Sequence, residues 1–165
     1  MSTPRVEDAD VTVHPVAPED VETLFPLLLL AEPSERALRW SVQHLSEAAY
    51  RMDDAGGAPV GAVTVRWSGD ECEIVELAVA ESAHGRGLGR RLVEWVLDEA
   101  RRRGRRAVEV GTANASLGNL AFYQKCGFRF DHVRRDYFRY YREPRFAHGI
   151  RIRDLVVFRY ELTDR

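Results

Sequence analysis

Cys72-Glu73-Ile-Val-Glu76-Leu77-Ala78-Val79-Ala-Glu-Ser-Ala-His84-Gly85-Arg86-Gly87-Leu88-Gly89-Arg90-Arg91 opens the stretch that decides the fold, and a helical run behind it continues to Arg103 before Gly104. The apolar, β-branched residues up to Val79 predict a strand. A short loop follows, then three glycines at alternate positions, then a helix. Glycine lets a backbone approach a ligand closely and reach φ values that other residues avoid. A helix start directly behind it presents unpaired N–H groups and the positive end of the helix dipole. Together they predict an anion site, most often one for phosphate. The stretch therefore points to a phosphate-bearing cofactor held by backbone.

What is missing narrows the cofactor. A P-loop ends in Gly-Lys-Ser/Thr, whereas Gly89 is followed by Arg90 and Arg91. The dinucleotide fingerprint G-x-G-x-x-G accepts Gly85 and Gly87 but meets Arg90 at its third glycine. Glu109 stands about 20 residues on, where a ribose-binding acid would sit, so a dinucleotide stays open as an alternative. Against it, that fingerprint normally opens a domain, and here much of the chain precedes it.

Working outward, 165 residues with 45% hydrophobic content fit a single soluble domain over 1–165. Residues 1–10 read as a polar, frayed end. No apolar run is long enough for a spanning helix, so no membrane partner is expected. The Met1 end lacks a signal-peptide pattern, which leaves the cytoplasm as default. A formal net charge of -2 suggests no nucleic-acid partner. Cys72 and Cys126 have no metal spacing and read as free thiols. The histidines at 44, 84, 132 and 148 have none either, and no metal is expected.

Val11–Val16 alternates as a first strand. Pro18-Glu-Asp suits the start of a helix, which Pro26 should kink or break. Ser34 stands where an N-cap would open a second helix reaching about Glu47, with Trp40 and Leu45 facing either the core, the favoured reading, or the substrate. Residues 50–53, Val60–Trp67 and Cys72–Ala80 predict an antiparallel meander with turns at 55–59 and 68–70. The following helix has Leu88, Leu92, Val93, Trp95, Val96 and Ala100 as its apolar face. Glu99 and Arg103 form a favourable i,i+4 pair. The Arg101–Arg106 run could form a basic patch for nucleic acid or a cofactor phosphate, but reads first as cations collected at a helix C-terminus. Ala107–Gly111 should be parallel to the strand before the loop, in a βαβ unit. Asn114 and Ser116 are N-cap candidates for a helix stopped by Gly127. Phe128–Val133 and Arg153–Leu162 complete the strands.

The segment Asn114-Ala-Ser116-Leu-Gly-Asn119-Leu-Ala-Phe-Tyr123-Gln-Lys-Cys-Gly127-Phe128 is a second motif. Together with His84-Gly85-Arg86-Gly87-Leu88-Gly89 it resembles the GNAT acyltransferases. Their pyrophosphate loop reads Gln/Arg-x-x-Gly-x-Gly/Ala between the fourth strand and a long helix. Their later segment reads Asn-x-x-Ala-x-x-Leu-Tyr-x-x-x-Gly-Phe. This chain departs twice: His84 replaces Gln or Arg, and Ser116 stands at the usual asparagine position, with Asn114 two residues earlier.

The resemblance implies an α/β fold: a mixed, strongly twisted sheet of about seven strands with helices on both faces. It implies acetyl-CoA as co-substrate, with main-chain groups of Leu77, Ala78 and Val79 on the pantetheine arm. His84, Gly85, Arg86, Gly87, Leu88, Gly89 and Arg90 would cradle the pyrophosphate. Asn114, Ser116 and Asn119 are the polar candidates for a further pantetheine contact. A bulge near Leu77–Val79 would free amides of that strand.

Acetyl transfer to an amine needs a neutral amine, stabilisation of an oxyanion and a proton for the departing thiolate. Backbone N–H groups near Leu77–Val79 would polarise the carbonyl. The resemblance implies that Tyr123 donates the proton. It also implies Glu73 as base, eleven residues before His84. Glu76 is the other carboxylate of that strand, with opposite parity, and a water chain is a third route. A non-catalytic acyl-CoA-binding module is the competing class. The acceptor, a small-molecule amine or a protein amine, is left open, as is the oligomeric state, a homodimer included. The Arg134–Gly149 segment mixes arginines with Tyr137, Phe138, Tyr140 and Tyr141. Such a loop suits an acceptor with an anionic or aromatic group.

Overall fold

The structure, a computed structural model, describes residues 10–162. The end read as frayed therefore lies outside the described residues except for Asp10. The chain divides into two compact units, one of Met1–Arg66 with Val75–Trp95, the other of Trp67–Ile74 with Val96–Arg165.

The first unit begins with strand β1, Val11–Val16. Pro18–Leu24 then winds as a 3₁₀ helix and Phe25–Leu28 as one turn of α-helix, α1. Proline has no N–H to give, so Pro26 sits in the first turn of α1 and the predicted helix is broken there. Val21, Leu24, Phe25 and Leu28 still reach one core cluster with Leu38, Ala49 and Ala62. Helix α2, Glu35–His44, starts as predicted, the Ser34 hydroxyl accepting the Ala37 N–H at 3.2 Å. It ends short of Glu47. Trp40 corrects the core expectation: it is 54% exposed on α2, its ring 5.1 Å from that of His44.

Strand β2, Ala48–Asp54, pairs antiparallel with β1 and with β3, Pro59–Arg66. Alternation in β3 suggests one buried face, yet Val60 to Val65 are all buried. A strand covered on both faces loses its period-two signal. Strand β4 is Glu71–Val79, and helix α3 is Leu88–Arg102. Leu88, Leu92, Val93, Val96, Leu97 and Ala100 of α3 are buried.

In the second unit the start of β4 pairs in parallel with β5, Ala107–Ala113, from Glu71↔Ala107 to Ile74↔Val110. Helix α4, Leu117–Lys125, is closed by Cys126 and by Gly127 at φ +96. Strand β6, Arg129–Arg134, is followed by a two-strand hairpin, β7 Phe146–Ala147 and β8 Ile150–Arg151, and by β9, Leu155–Glu161. β9 is antiparallel to both β5 and β6. The main sheet is mixed and has seven strands in the order β1-β2-β3-β4-β5-β9-β6. Cys72 is a buried thiol, its Sγ 3.6 Å from the Ala107 carbonyl oxygen.

Charge on this unit is largely internal. Arg159 pairs with Glu71 at 2.7 Å and Glu161 at 2.5 Å, and reaches Glu109 at 3.4 Å. Hydrogen bonds from Arg159 and then Arg106 hold the Glu71 carboxyl below its usual range. At the end of α3, Arg101 pairs with Asp98, and Arg102 and Arg103 pair with Glu99. The Arg102 bond is the larger cause of a lowered Glu99 pKa. Arg101, Arg102 and Arg103 thus make a salt-bridged helix end.

Candidate active site

The glycine loop lies in the first unit, between the end of β4 and the start of α3. Gly85 and Gly87 have φ of +80 and +71. A Cβ built on either would meet nothing within 4 Å. Glycine is therefore required by backbone conformation, and the space before the loop is open to a ligand. Leu88 is buried and anchors the first turn of α3, which contains no acid. Fifteen residues of helix stand behind that open N-terminus. The donor set suits a pyrophosphate: left-handed glycines, orphan N–H groups and the positive dipole end.

Leu77, Ala78 and Val79 close β4 immediately before the loop, with Ala78 buried. Cys72, Ile74 and Ala78 are all buried, and the parallel pairing of β4 with β5 runs from Glu71 to Ile74, short of Leu77. The two carboxylates of β4 differ in surroundings. Glu76 receives a hydrogen bond from the buried Ser41 hydroxyl of α2 at 3.3 Å, and its N–H donates to Thr64 Oγ1 at 3.1 Å. Neither Ser41 nor Thr64 was singled out from the sequence. The available sign was a small polar residue on the apolar side of an otherwise amphipathic helix. Glu73 belongs to the second unit, in register with Glu109 on β5 and next in line to the ladder around Arg159.

Also in the second unit, Tyr123 is only 6% exposed on α4. Its ring packs against Phe122, Phe128 and Phe158 at centroid distances of 5.0, 5.8 and 5.9 Å. Asn119 donates to Thr112 Oγ1 at 3.3 Å, tying α4 to β5. Ser116 occupies the N-cap position of α4, but its side chain makes no cap hydrogen bond. Among the described residues no group of three or more His, Cys, Asp or Glu could hold a metal ion. No described helix is long and apolar enough to cross a membrane.

The Acetyltransferase (GNAT) family model matches residues 19–128. The chain belongs to the GNAT acetyltransferase family. It is 36% identical over 140 residues to the uncharacterized N-acetyltransferase YvbK of Bacillus subtilis, covering 84% of this chain and 88% of that one. A GNAT family acetyltransferase of Elizabethkingia anophelis, solved with acetyl-CoA bound, superposes with a TM-score of 0.84 at 30% identity, over 94% of this chain and all of that one. A Bacillus subtilis acetyltransferase solved with CoA gives 0.82 at 33% identity, over 93% and 99% of the two chains.

Both departures from the GNAT pattern have local roles. His84 Nε2 lies 2.9 Å from the Val79 carbonyl oxygen. A carbonyl only accepts, so Nε2 carries the proton and the imidazole staples the loop to the end of β4. Asn114 corrects the expectation of a helix cap, since Ser116 holds the N-cap position of α4. Its Oδ1 accepts the N–H groups of Arg153 and Asp154 at 2.9 and 3.1 Å, and its Nδ2 donates to the Arg151 carbonyl at 3.1 Å. Three of the amide's four hydrogen-bonding positions are thus turned toward residues 151–154. Asn114→Ala should cost about 1–3 kcal/mol in urea unfolding and speed amide exchange at Arg153 and Asp154. Unchanged exchange there would remove this anchoring role.

Proposed function

We propose that this GNAT chain acts as one N-acetyltransferase domain, moving an acetyl group from acetyl-CoA to a primary amine by direct attack in a ternary complex. The observation that carries the reading is the unobstructed glycine loop at the start of α3. Backbone N–H groups of Gly85–Arg90 hold the pyrophosphate, and main-chain groups of Leu77–Val79 take the pantetheine arm. N–H groups of the same strand end face charge that develops on the carbonyl oxygen, where preorganised donors act most strongly. Tyr123 supplies the proton that the leaving thiolate takes up. Asn119 and Ser116 stay as polar candidates beside the arm.

Glu73 is the base implied by the family resemblance, but its neighbours favour Glu76. Glu76 adjoins Leu77 directly, and Ser41 holds its carboxylate in one orientation. Glu73 stands four residues from Leu77, roughly 13 Å along a strand, beside a second carboxylate at Glu109. A base works only when deprotonated, so kcat should fall as pH drops through its pKa. Glu76→Gln should lower kcat about tenfold and flatten that acidic limb, with Glu73→Gln leaving it in place. The reverse result would assign the base to Glu73. Two intact limbs would assign proton removal to water.

Calorimetry with CoA, acetyl-CoA and NAD, followed by thiol release over a panel of amines, tests the whole reading. Tight NAD binding without CoA binding would return the dinucleotide alternative. CoA binding with no thiol release from any amine would favour the binding module.

A further inference from the structure

Resting on the acetyltransferase reading, we infer that residues 136–153 form a pocket for the planar anionic group of an aromatic acceptor. The pocket is an open concavity of about 310 Å³, near the lower end of small-molecule sites at about 300–1,000 Å³. That volume suits one ring with its acid group. Four arginines line it, Arg139, Arg145, Arg151 and Arg153, together with Phe138 and Tyr141.

The aromatic wall is already ordered. Phe138 and Tyr141 are stacked with centroids 5.9 Å apart and planes 7° from parallel. The Arg145 guanidinium lies 4.2 Å from the Tyr141 ring centroid. A guanidinium held over a ring can still offer its N–H groups to an oxyanion. Asp136 and Glu143 also line the pocket, so four arginines against two carboxylates leave a cationic excess of two. At the end of α3, by contrast, Arg101, Arg102, Arg103 and Arg106 each pair with a carboxylate.

The frame around the pocket is built as well. Residues 147–150 close the hairpin by a two-residue turn, His148 and Gly149 having φ of +53 and +73. Two left-handed residues in succession match a type I′ turn. Ile152 N–H donates to the Arg145 carbonyl at 2.8 Å, and Phe138 N–H to the Arg153 carbonyl at 3.1 Å. Asp136, itself left-handed at φ +57, donates its N–H to Asp154 Oδ1 at 2.9 Å. Asn114 fixes the same 151–154 strip to the end of β5. Forked arginines bind carboxylate and phosphate alike, and the flat wall selects an aromatic partner.

The test separates pocket from catalysis. 3-Phenylpropionate and phenyl phosphate, which have no amine, are titrated calorimetrically into the whole protein. At least one should bind, and the tighter of the two names the anion. An Arg145→Gln/Arg153→Gln double variant should weaken that binding about tenfold or more, the loss of one charge-assisted bond, with acetyl-CoA affinity unchanged. Arg139→Gln, at an exposed position, repeats the comparison if the double variant unfolds. Failure of both acids to bind, or equal binding by the variants, overturns the pocket. Phenylalanine should then release thiol about tenfold faster than phenylalaninamide in kcat/KM. Acid binding without turnover of any amine would leave the pocket and reject the acetyltransferase reading. Equal rates for acid and amide would reject the pocket's role in choosing the acceptor.

Discussion

A Gly87→Val variant should bind acetyl-CoA more than about 10²-fold more weakly than the parent, with the fold kept. Two separate effects add. A β-branched residue at φ +71 is strained by about 1–2 kcal/mol relative to glycine. Because no protein atom lies within 4 Å of a Cβ at this position, the new side chain occupies the space that the pyrophosphate needs. Losing one or two hydrogen bonds to a charged group at about 1.5–3 kcal/mol each gives the 10²-fold change at about 1.4 kcal/mol per decade. Gly104 is a matched control. It also has positive φ, +68, with nothing within 4 Å of a built Cβ, but it closes α3 at the other end. Gly104→Val should therefore show a similar loss in unfolding free energy and an unchanged Kd for acetyl-CoA. If both variants bind acetyl-CoA as the parent does, the glycine loop is a turn and no more.

Local patterns predicted what local forces decide. The strand, glycine loop and amphipathic helix from Glu71 to Arg102 follow from composition and period, because each is stabilised by its own neighbours. The same holds for Ser34 as a cap and for Gly104 and Gly127 as helix ends. What escaped was decided by distant partners. Nothing near Leu155–Glu161 announces that the last strand inserts between β5 and β6. Asn114 looks like a cap by spacing, yet its amide is taken by a strip nearly forty residues away. Trp40 resembles core by hydrophobicity, and only the placement of α2 exposes it. The hairpin at residues 146–151 is hidden because His-Gly replaces the usual Asn-Gly at its turn. Of the candidate site, the glycine loop's backbone was legible because its conformation depends on glycine itself. The choice between Glu73 and Glu76 was not, since it turns on Ser41 and Glu109 arriving from other elements.

Removing one oxygen from Tyr123 should lower kcat by about 10²-fold, within the usual range for a positioned general acid. The ring is 6% exposed and meets Phe122, Phe128 and Phe158 edge-on or tilted. Tyr123→Phe keeps all of that packing, so stability should change by no more than about 1.5 kcal/mol, the worth of one hydrogen bond. KM for acetyl-CoA should stay near the parent value, because a hydroxyl acting on the leaving group, as proposed, adds little to ground-state binding. The pH dependence gives the sign. An acid must be protonated to donate, so parental kcat falls as pH rises through the tyrosine pKa, and the variant should lack that alkaline limb. Alternate explanations part here. A tyrosine that only fills the core would lose stability on truncation to alanine and lose nothing in kcat on change to phenylalanine. An unchanged kcat with the alkaline limb intact would mean that the thiolate takes its proton from water, and that Tyr123 serves the aromatic core alone.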